Sequence, residues 1–140
     1  MKPGEIPQKK ILIIDDDEMV RFLAGEKLRQ CGFQVECAAD GDAGVALYRQ
    51  ALESEAPFYA VFLDLNIPGG SGGSEIFKQI KIIDPMVKAF VSSGDTYDPL
   101  MVDYRKYGFC GIVEKPYFYL KKDIAAELEK AIAAHTSLQS

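Results

Sequence analysis

No stretch of this 140-residue chain is long and apolar enough to span a membrane, and Met1 to Lys10 lacks the apolar middle of a signal peptide. A chain without either feature is expected in the cytoplasm, with no membrane insertion. Cysteine is scarce: Cys31, Cys37 and Cys110 are odd in number and show no Cys-x-x-Cys spacing, which predicts buried, reduced thiols. Positive charge is outweighed. A net charge of −5 argues against binding a phosphate backbone, so no direct nucleic-acid partner is expected. Internal repeats, coiled-coil heptads and low-complexity tracts are absent. The single histidine, His135, stands near the polar end with no partner at ligand spacing, which excludes metal binding or phosphotransfer through it.

What remains is an ordinary globular composition, 48% hydrophobic and 26% charged, at a length that fits one domain with a substantial core. Short apolar runs alternate with longer amphipathic ones. The runs predict strands over residues 11–15, 33–38, 59–64, 87–92 and 110–113. Between them Val20, Ala24, Leu28 and Cys31 share one helical face, as do Ile76, Ile80 and Ile83, and later Leu120, Ile124, Leu128 and Ile132. Asp40 and Asp98-Pro99 offer helix starts, while Gly32 and Gly108 offer stops. Strands alternating with helices predict βαβ units and a parallel sheet covered on both faces. The domain is expected over 10–135, between a polar lead-in (1–9) and a polar tail (136–140).

The run Ile11-Leu12-Ile13-Ile14 ends on Asp15, Asp16 and Asp17, and Ala60-Val61-Phe62-Leu63 ends on Asp64. Both sets of carboxylates are expected at the carboxyl ends of buried parallel strands, where open α/β sheets keep their ligand sites. Carboxylates crowded together repel unless a cation neutralises them or some take up protons. A hard-cation site around one special aspartate follows. Asp17 is the member of the triplet expected to cap the helix that begins near Glu18.

These residues together resemble the receiver domain of two-component response regulators. The resemblance covers residues 10–135 and rests on positions in order: the acidic pair Asp15-Asp16 after the first strand, and Asp64 in Val-Phe-Leu-Asp-Leu-Asn-Ile-Pro-Gly after the third. Ser93 in Phe-Val-Ser-Ser-Gly follows the fourth, and Lys115-Pro116 the fifth. It implies a five-stranded, doubly wound, flavodoxin-like fold of strand order 2-1-3-4-5, the order known for the family's chemotaxis member. It also implies that Asp64 is the phosphoacceptor, with Mg²⁺ held by Asp15, Asp16, Asp64 and the backbone carbonyl of Asn66. Lys115, behind a cis Lys115–Pro116 bond, pairs with a phosphoryl oxygen. Ser93 donates its hydroxyl to another; the family's spacing back from Lys115 and the small Gly94 that follows favour it over Ser92. Asp95 occupies a position that helps set the hydrolysis rate of the acyl phosphate.

The implied function is that of a signalling phosphoacceptor rather than an enzyme with a separate substrate: self-catalysed phosphoryl transfer and slow autodephosphorylation only. The expected partners are a histidine kinase or phosphotransfer protein upstream, and a protein target or an output domain on another chain downstream. The segment Asp-Leu-Asn-Ile-Pro-Gly-Gly-Ser-Gly-Gly looks like receivers of hybrid sensor kinases, so a domain excised from one and a stand-alone regulator both fit.

The chain departs from the pattern at Ile112, where the family often has a Tyr or Phe that swings inward; an aromatic swing is excluded there. Gly70 and Gly73 are expected to loosen the loop beside the site, and Gly69 to Gly73 lacks the Lys-Ser or Lys-Thr of a phosphate-binding P-loop. The aromatic stretch from Tyr104 to Tyr119 is expected to serve mainly as packing. Two rivals remain. A haloacid-dehalogenase-like phosphatase would use Asp15-x-Asp17, but Met19 stands where it wants Thr or Ser, and it needs a late acidic pair. A receiver-like module that is never phosphorylated has no need for the full set of acidic, hydroxyl and lysine positions.

Overall fold

The computed structural model describes residues 9–67, 72–92, 102–113 and 124–139. Apolar side chains on both faces make β1 (Lys10–Ile14), β3 (Ala60–Asp64) and β4 (Ala89–Ser92) buried strands, while β2 (Gln34–Ala38) alternates exposed and buried residues as an edge strand does. With β5 (Gly111–Ile112) they form one parallel sheet of order β2-β1-β3-β4-β5. The two-residue β5 is shorter than the 110–113 expected. Its flanks still continue the ladder, with Cys110 N–H donating to the Ala89 carbonyl at 2.8 Å and Val113 N–H to Val91 at 2.9 Å.

Four helices among the described residues cover the two faces: α1 (Glu18–Gln30), α2 (Gly41–Glu53), α3 (Gly73–Ile83) and α4 (Ile124–Gln139). Because strand side chains alternate, Leu12, Ile14, Val61, Leu63 and Val91 pack against Val45 and Tyr48 of α2 and Ile76, Phe77 and Ile80 of α3. Ile11, Ile13, Phe62 and Phe90 face the other way, onto Ala24 and Leu28 of α1 and Ile124 and Leu128 of α4. Of the helical faces read from the sequence, Ala24, Leu28, Ile76, Ile80, Ile124 and Leu128 are buried and Val20, Cys31, Ile83 and Ile132 half-buried; Leu120 lies outside the described residues. Asp40 caps α2 by accepting from Ala43 N–H at 2.8 Å, and Gly32 and Gly108 adopt φ of 96° and 97°, the left-handed geometry that glycine takes most easily.

Three details differ from expectation. Cys110 is buried, but Cys31 and Cys37 are only half-buried; all three are free thiols. Gly72 and Gly73 are not loop: Gly72 is the N-cap of α3 and Gly73 its first residue. His135 is buried at 8% exposure rather than standing at a polar end, and α4 runs on through Gln139. No helix among the described residues is long and apolar enough to cross a membrane.

Candidate functional site

The β1–α1 corner sorts its three aspartates by role. Asp15 continues the ladder past the strand end, its N–H donating to the Ala38 carbonyl at 3.1 Å, and it is fully buried. Asp17 turns back as the N-cap of α1, accepting from Met19 N–H at 2.9 Å and Val20 N–H at 3.3 Å. Asp17 N–H donates in turn to Asp15 Oδ1 at 2.9 Å. Asp16, between them, is exposed. The cap expected of Asp17 is the observed one.

Asp64 ends β3 at 3% exposure, facing Ser92 in register. Its Oδ1 accepts Asn66 N–H at 3.1 Å, an Asx-type turn that fixes the carboxylate as the chain leaves the sheet. Leu65 N–H donates to the Ser92 carbonyl at 2.9 Å, and Gly73 N–H to the Leu65 carbonyl at 3.1 Å. The start of α3 is thereby pinned onto the residue that follows Asp64. Gly73 permits this approach, since a Cβ there would lie 2.6 Å from the Asp64 carbonyl oxygen.

Adjacent parallel strands bring the two ends together. Asp15, Asp16 and Asp64 each offer a carboxylate oxygen within 4.8 Å of the others. Three like charges at this separation, two on buried residues, raise the free energy of the fully ionised site, and an oxygen-seeking divalent cation relieves it. The donor set is all hard oxygen, which suits Mg²⁺ and offers no soft sulfur or imidazole ligand for zinc or copper. Asn66 is exposed beside this cluster. Ile112 is 40% exposed on β5, at the sheet edge. Ser93, Asp95, Lys115 and Pro116 lie outside the described residues, as does Asp98-Pro99.

Two residues at the corner escaped the sequence reading. Arg21 reaches back from α1 to donate Nη1–H to the Asp15 carbonyl at 2.9 Å, and Gly73 sets how closely α3 approaches Asp64. His135 was also missed as a core residue. Its spacing from Ile124, Leu128 and Ala131 repeats four, three and four residues, a helical-face signal that continues one turn beyond Ile132.

Comparison with known proteins agrees with this geometry. Residues 11–129 match the model of a family described as the response regulator receiver domain. Sporulation initiation phosphotransferase F of Bacillus subtilis is 31% identical over 112 residues, covering 78% of this chain and 83% of that protein. A Rickettsia felis protein described as an NtrX-like response regulator is 31% identical over 111 residues, 79% of this chain. The chain spans only 22% of that relative's length. A CheY-like receiver domain from Methanospirillum hungatei superposes with a TM-score of 0.73 at 21% identity, covering 94% of this chain and 98% of that one, a likeness of fold.

Proposed function

The chain belongs to the response regulator receiver domain family and is a receiver of two-component signalling, and from that premise we propose that Asp64 is its phosphoacceptor. The observation that carries the assignment is the buried Asp64 at the carboxyl end of β3, with oxygens of Asp15 and Asp16 within 4.8 Å. An Asp64 oxygen attacks the phosphorus of a phosphohistidine. The O–P bond forms as the N–P bond breaks, and the imidazole leaves with the electron pair and takes up a proton.

Asp15, Asp16 and Asp64, with the backbone carbonyl of Asn66, would hold Mg²⁺. When bound, that ion neutralises charge on the phosphoryl oxygens. The Asn66 N–H bond keeps the attacking carboxylate from rotating, so little reorganisation remains at the moment of transfer. Ser93 donates a hydroxyl and Lys115 an ammonium to the transferred group, and Pro116 holds the lysine's approach. Asp95 helps set the lifetime of the acyl phosphate. Ser92 is buried opposite Asp64 and is the alternative hydroxyl.

The phosphoryl donor is the phosphohistidine of a histidine kinase or phosphotransfer protein. Added charge at Asp64 recruits Ser93 and Lys115 and shifts the face formed by α4 and the helical segment expected before it, between β4 and β5. A groove of about 410 Å³ lies there, bounded by Gly111, Ile112, Tyr104 and Arg105 on one side and Ala131 and His135 on the other. A downstream target or an output domain on another chain would read that surface. Ile112 leaves it without an aromatic swing. The receiver follows the polar segment 1–9 and takes in α4 through Gln139, beyond the 135 expected, and acts in the cytoplasm as a signalling element with slow autodephosphorylation.

Phosphoramidate, a small donor with an N–P bond, tests the assignment. Intact mass should show one Mg²⁺-dependent phosphoryl adduct on the wild-type chain and none on Asp64→Asn. Unchanged labelling of Asp64→Asn, or full labelling under metal chelation, would overturn it.

A further inference from the structure

The carbonyl of the peptide joining Asp15 to Asp16 is held by a side chain from outside the sheet, and the groups around it are engaged as well. Asp15 N–H is engaged by β2, Asp15 Oδ1 by Asp17 N–H, and the Asp15 carbonyl by Arg21 Nη1–H at 2.9 Å. Arg21 lies at the start of α1, its own N–H donating to the Asp17 carbonyl at 3.0 Å, and its half-buried side chain folds back six residues along the chain. The orientation of that one peptide sets the direction in which Asp16 leaves the strand relative to Asp15. A charged donor on the peptide oxygen fixes it more firmly than water would, because a charge-assisted hydrogen bond is roughly twice as strong as a neutral one.

We propose that Arg21 is a positioning residue for the divalent-cation site: its guanidinium locks the Asp15–Asp16 peptide so that both carboxylates meet the ion in one arrangement. The proposal rests on the reading of Asp15 and Asp16 as Mg²⁺ holders and adds to it a residue that touches neither the ion nor the phosphoryl group. Groups that orient metal ligands act in this indirect way. The sign of the effect separates positioning from charge. Arg21 is itself a cation near a cation site, so its charge alone weakens Mg²⁺ binding, and removing it would tighten binding. Loss of positioning does the reverse.

Isothermal titration of Mg²⁺ into the unphosphorylated full chain decides between them, using wild type, Arg21→Met, Arg21→Lys and Asp15→Asn, with urea midpoints taken in the absence of metal. Arg21→Met should raise the Mg²⁺ Kd about tenfold, at the low end of what losing a ligand-orienting group costs. Arg21→Lys keeps a donor on a long stem and should recover most of that loss. In acetyl phosphate labelling, the half-saturating Mg²⁺ concentration of Arg21→Met should rise with its Kd. The rate at saturating Mg²⁺ should stay within about twofold, a split that general damage to the fold does not produce. An Arg21→Met chain that folds and binds Mg²⁺ as tightly as wild type, or more tightly, overturns the proposal. If that variant does not fold, Arg21→Gln, too short to reach the carbonyl, is read by the same criterion. A wild-type chain that binds no Mg²⁺, or an Asp15→Asn chain that binds it equally well, would instead sink the underlying assignment of the carboxylates.

Discussion

Gly73→Ala is the substitution whose consequence can be worked most fully from the geometry. A Cβ on this first residue of α3 would stand 2.6 Å from the Asp64 carbonyl oxygen, 2.8 Å from Leu65 Cα and 3.1 Å from the Leu65 oxygen. All three neighbours are backbone, so no side chain can rotate away. Ordinary contact begins near 3.4 Å. Either α3 or the Asp64–Leu65 backbone must then yield by roughly 0.8 Å, and crowding of this kind costs about 1–3 kcal/mol. Alanine returns at most about 1 kcal/mol of helix propensity, and less at a first-turn position than in a helix interior. The expected net loss is about 1–2 kcal/mol, which lowers a urea midpoint by roughly 0.5–1 M for a slope of about 2 kcal/mol/M. Because the displaced backbone carries the nucleophile, acetyl phosphate labelling should also slow by about tenfold or more. Gly72→Ala is the control: nothing lies within 4 Å of a Cβ there and its φ is −65°, so stability should change by no more than about 0.5 kcal/mol. A Gly73→Ala chain with the wild-type midpoint and labelling rate would refute the claim that α3 packs on Asp64 through this glycine.

Other substitutions separate stability from chemistry. Tyr48→Phe removes a 2.6 Å hydrogen bond from the Tyr48 hydroxyl to Asp84 Oδ2; a bond to a charged acceptor contributes about 1.5–3 kcal/mol, so the urea midpoint should fall while labelling of Asp64 is unchanged. Burial, with Lys88 and Lys81 nearby, holds His135 below its ordinary value of 6.5, so the unfolded chain binds more protons than the native one as acidity increases. Its contribution to stability is complete above pH 6.5 and is lost as pH falls from there through the native value; His135→Gln should flatten that part of a wild-type stability–pH curve, and identical curves would contradict it. Ser93→Ala should slow phosphoryl transfer about 10²-fold or more, the scale of losing one donor to transition-state charge, whereas Ser92→Ala should show chiefly in the urea midpoint; the reverse pattern would move the hydroxyl role to Ser92. Asp17→Ala, losing the cap on Met19 and Val20, should cost about 1 kcal/mol in denaturation.

The parts of this fold legible in the sequence were those set by periodicity. Ile11 to Ile14 and Ala60 to Leu63 announced doubly buried strands because every side chain in them is apolar, and parallel neighbours then had to bring Asp15 and Asp64 to the same carboxyl end of the sheet. Asp17 could be told from its neighbours because a helix beginning at Glu18 needs a cap at that position. Arg21 was not legible: its bond depends on the angle at which α1 leaves β1, and sequence spacing does not encode a side chain folding back over six residues. Gly73 read as looseness because glycine has two uses, freedom and close approach, and only the position of the Asp64 carbonyl decides between them. His135 was misplaced for a simpler reason. Polar residues around it masked an apolar stripe that runs through Ala131 to the buried ring.

The most direct test of Asp64 as phosphoacceptor is borohydride reduction of the chain after acetyl phosphate and Mg²⁺ treatment, followed by peptide mapping. An acyl phosphate is reduced to an alcohol, so phosphorylated aspartate becomes homoserine at that residue alone. Homoserine at position 64, lost when Mg²⁺ is chelated, is the expected result; reduction at Asp15, Asp16 or any other carboxylate, or at none, would contradict the assignment.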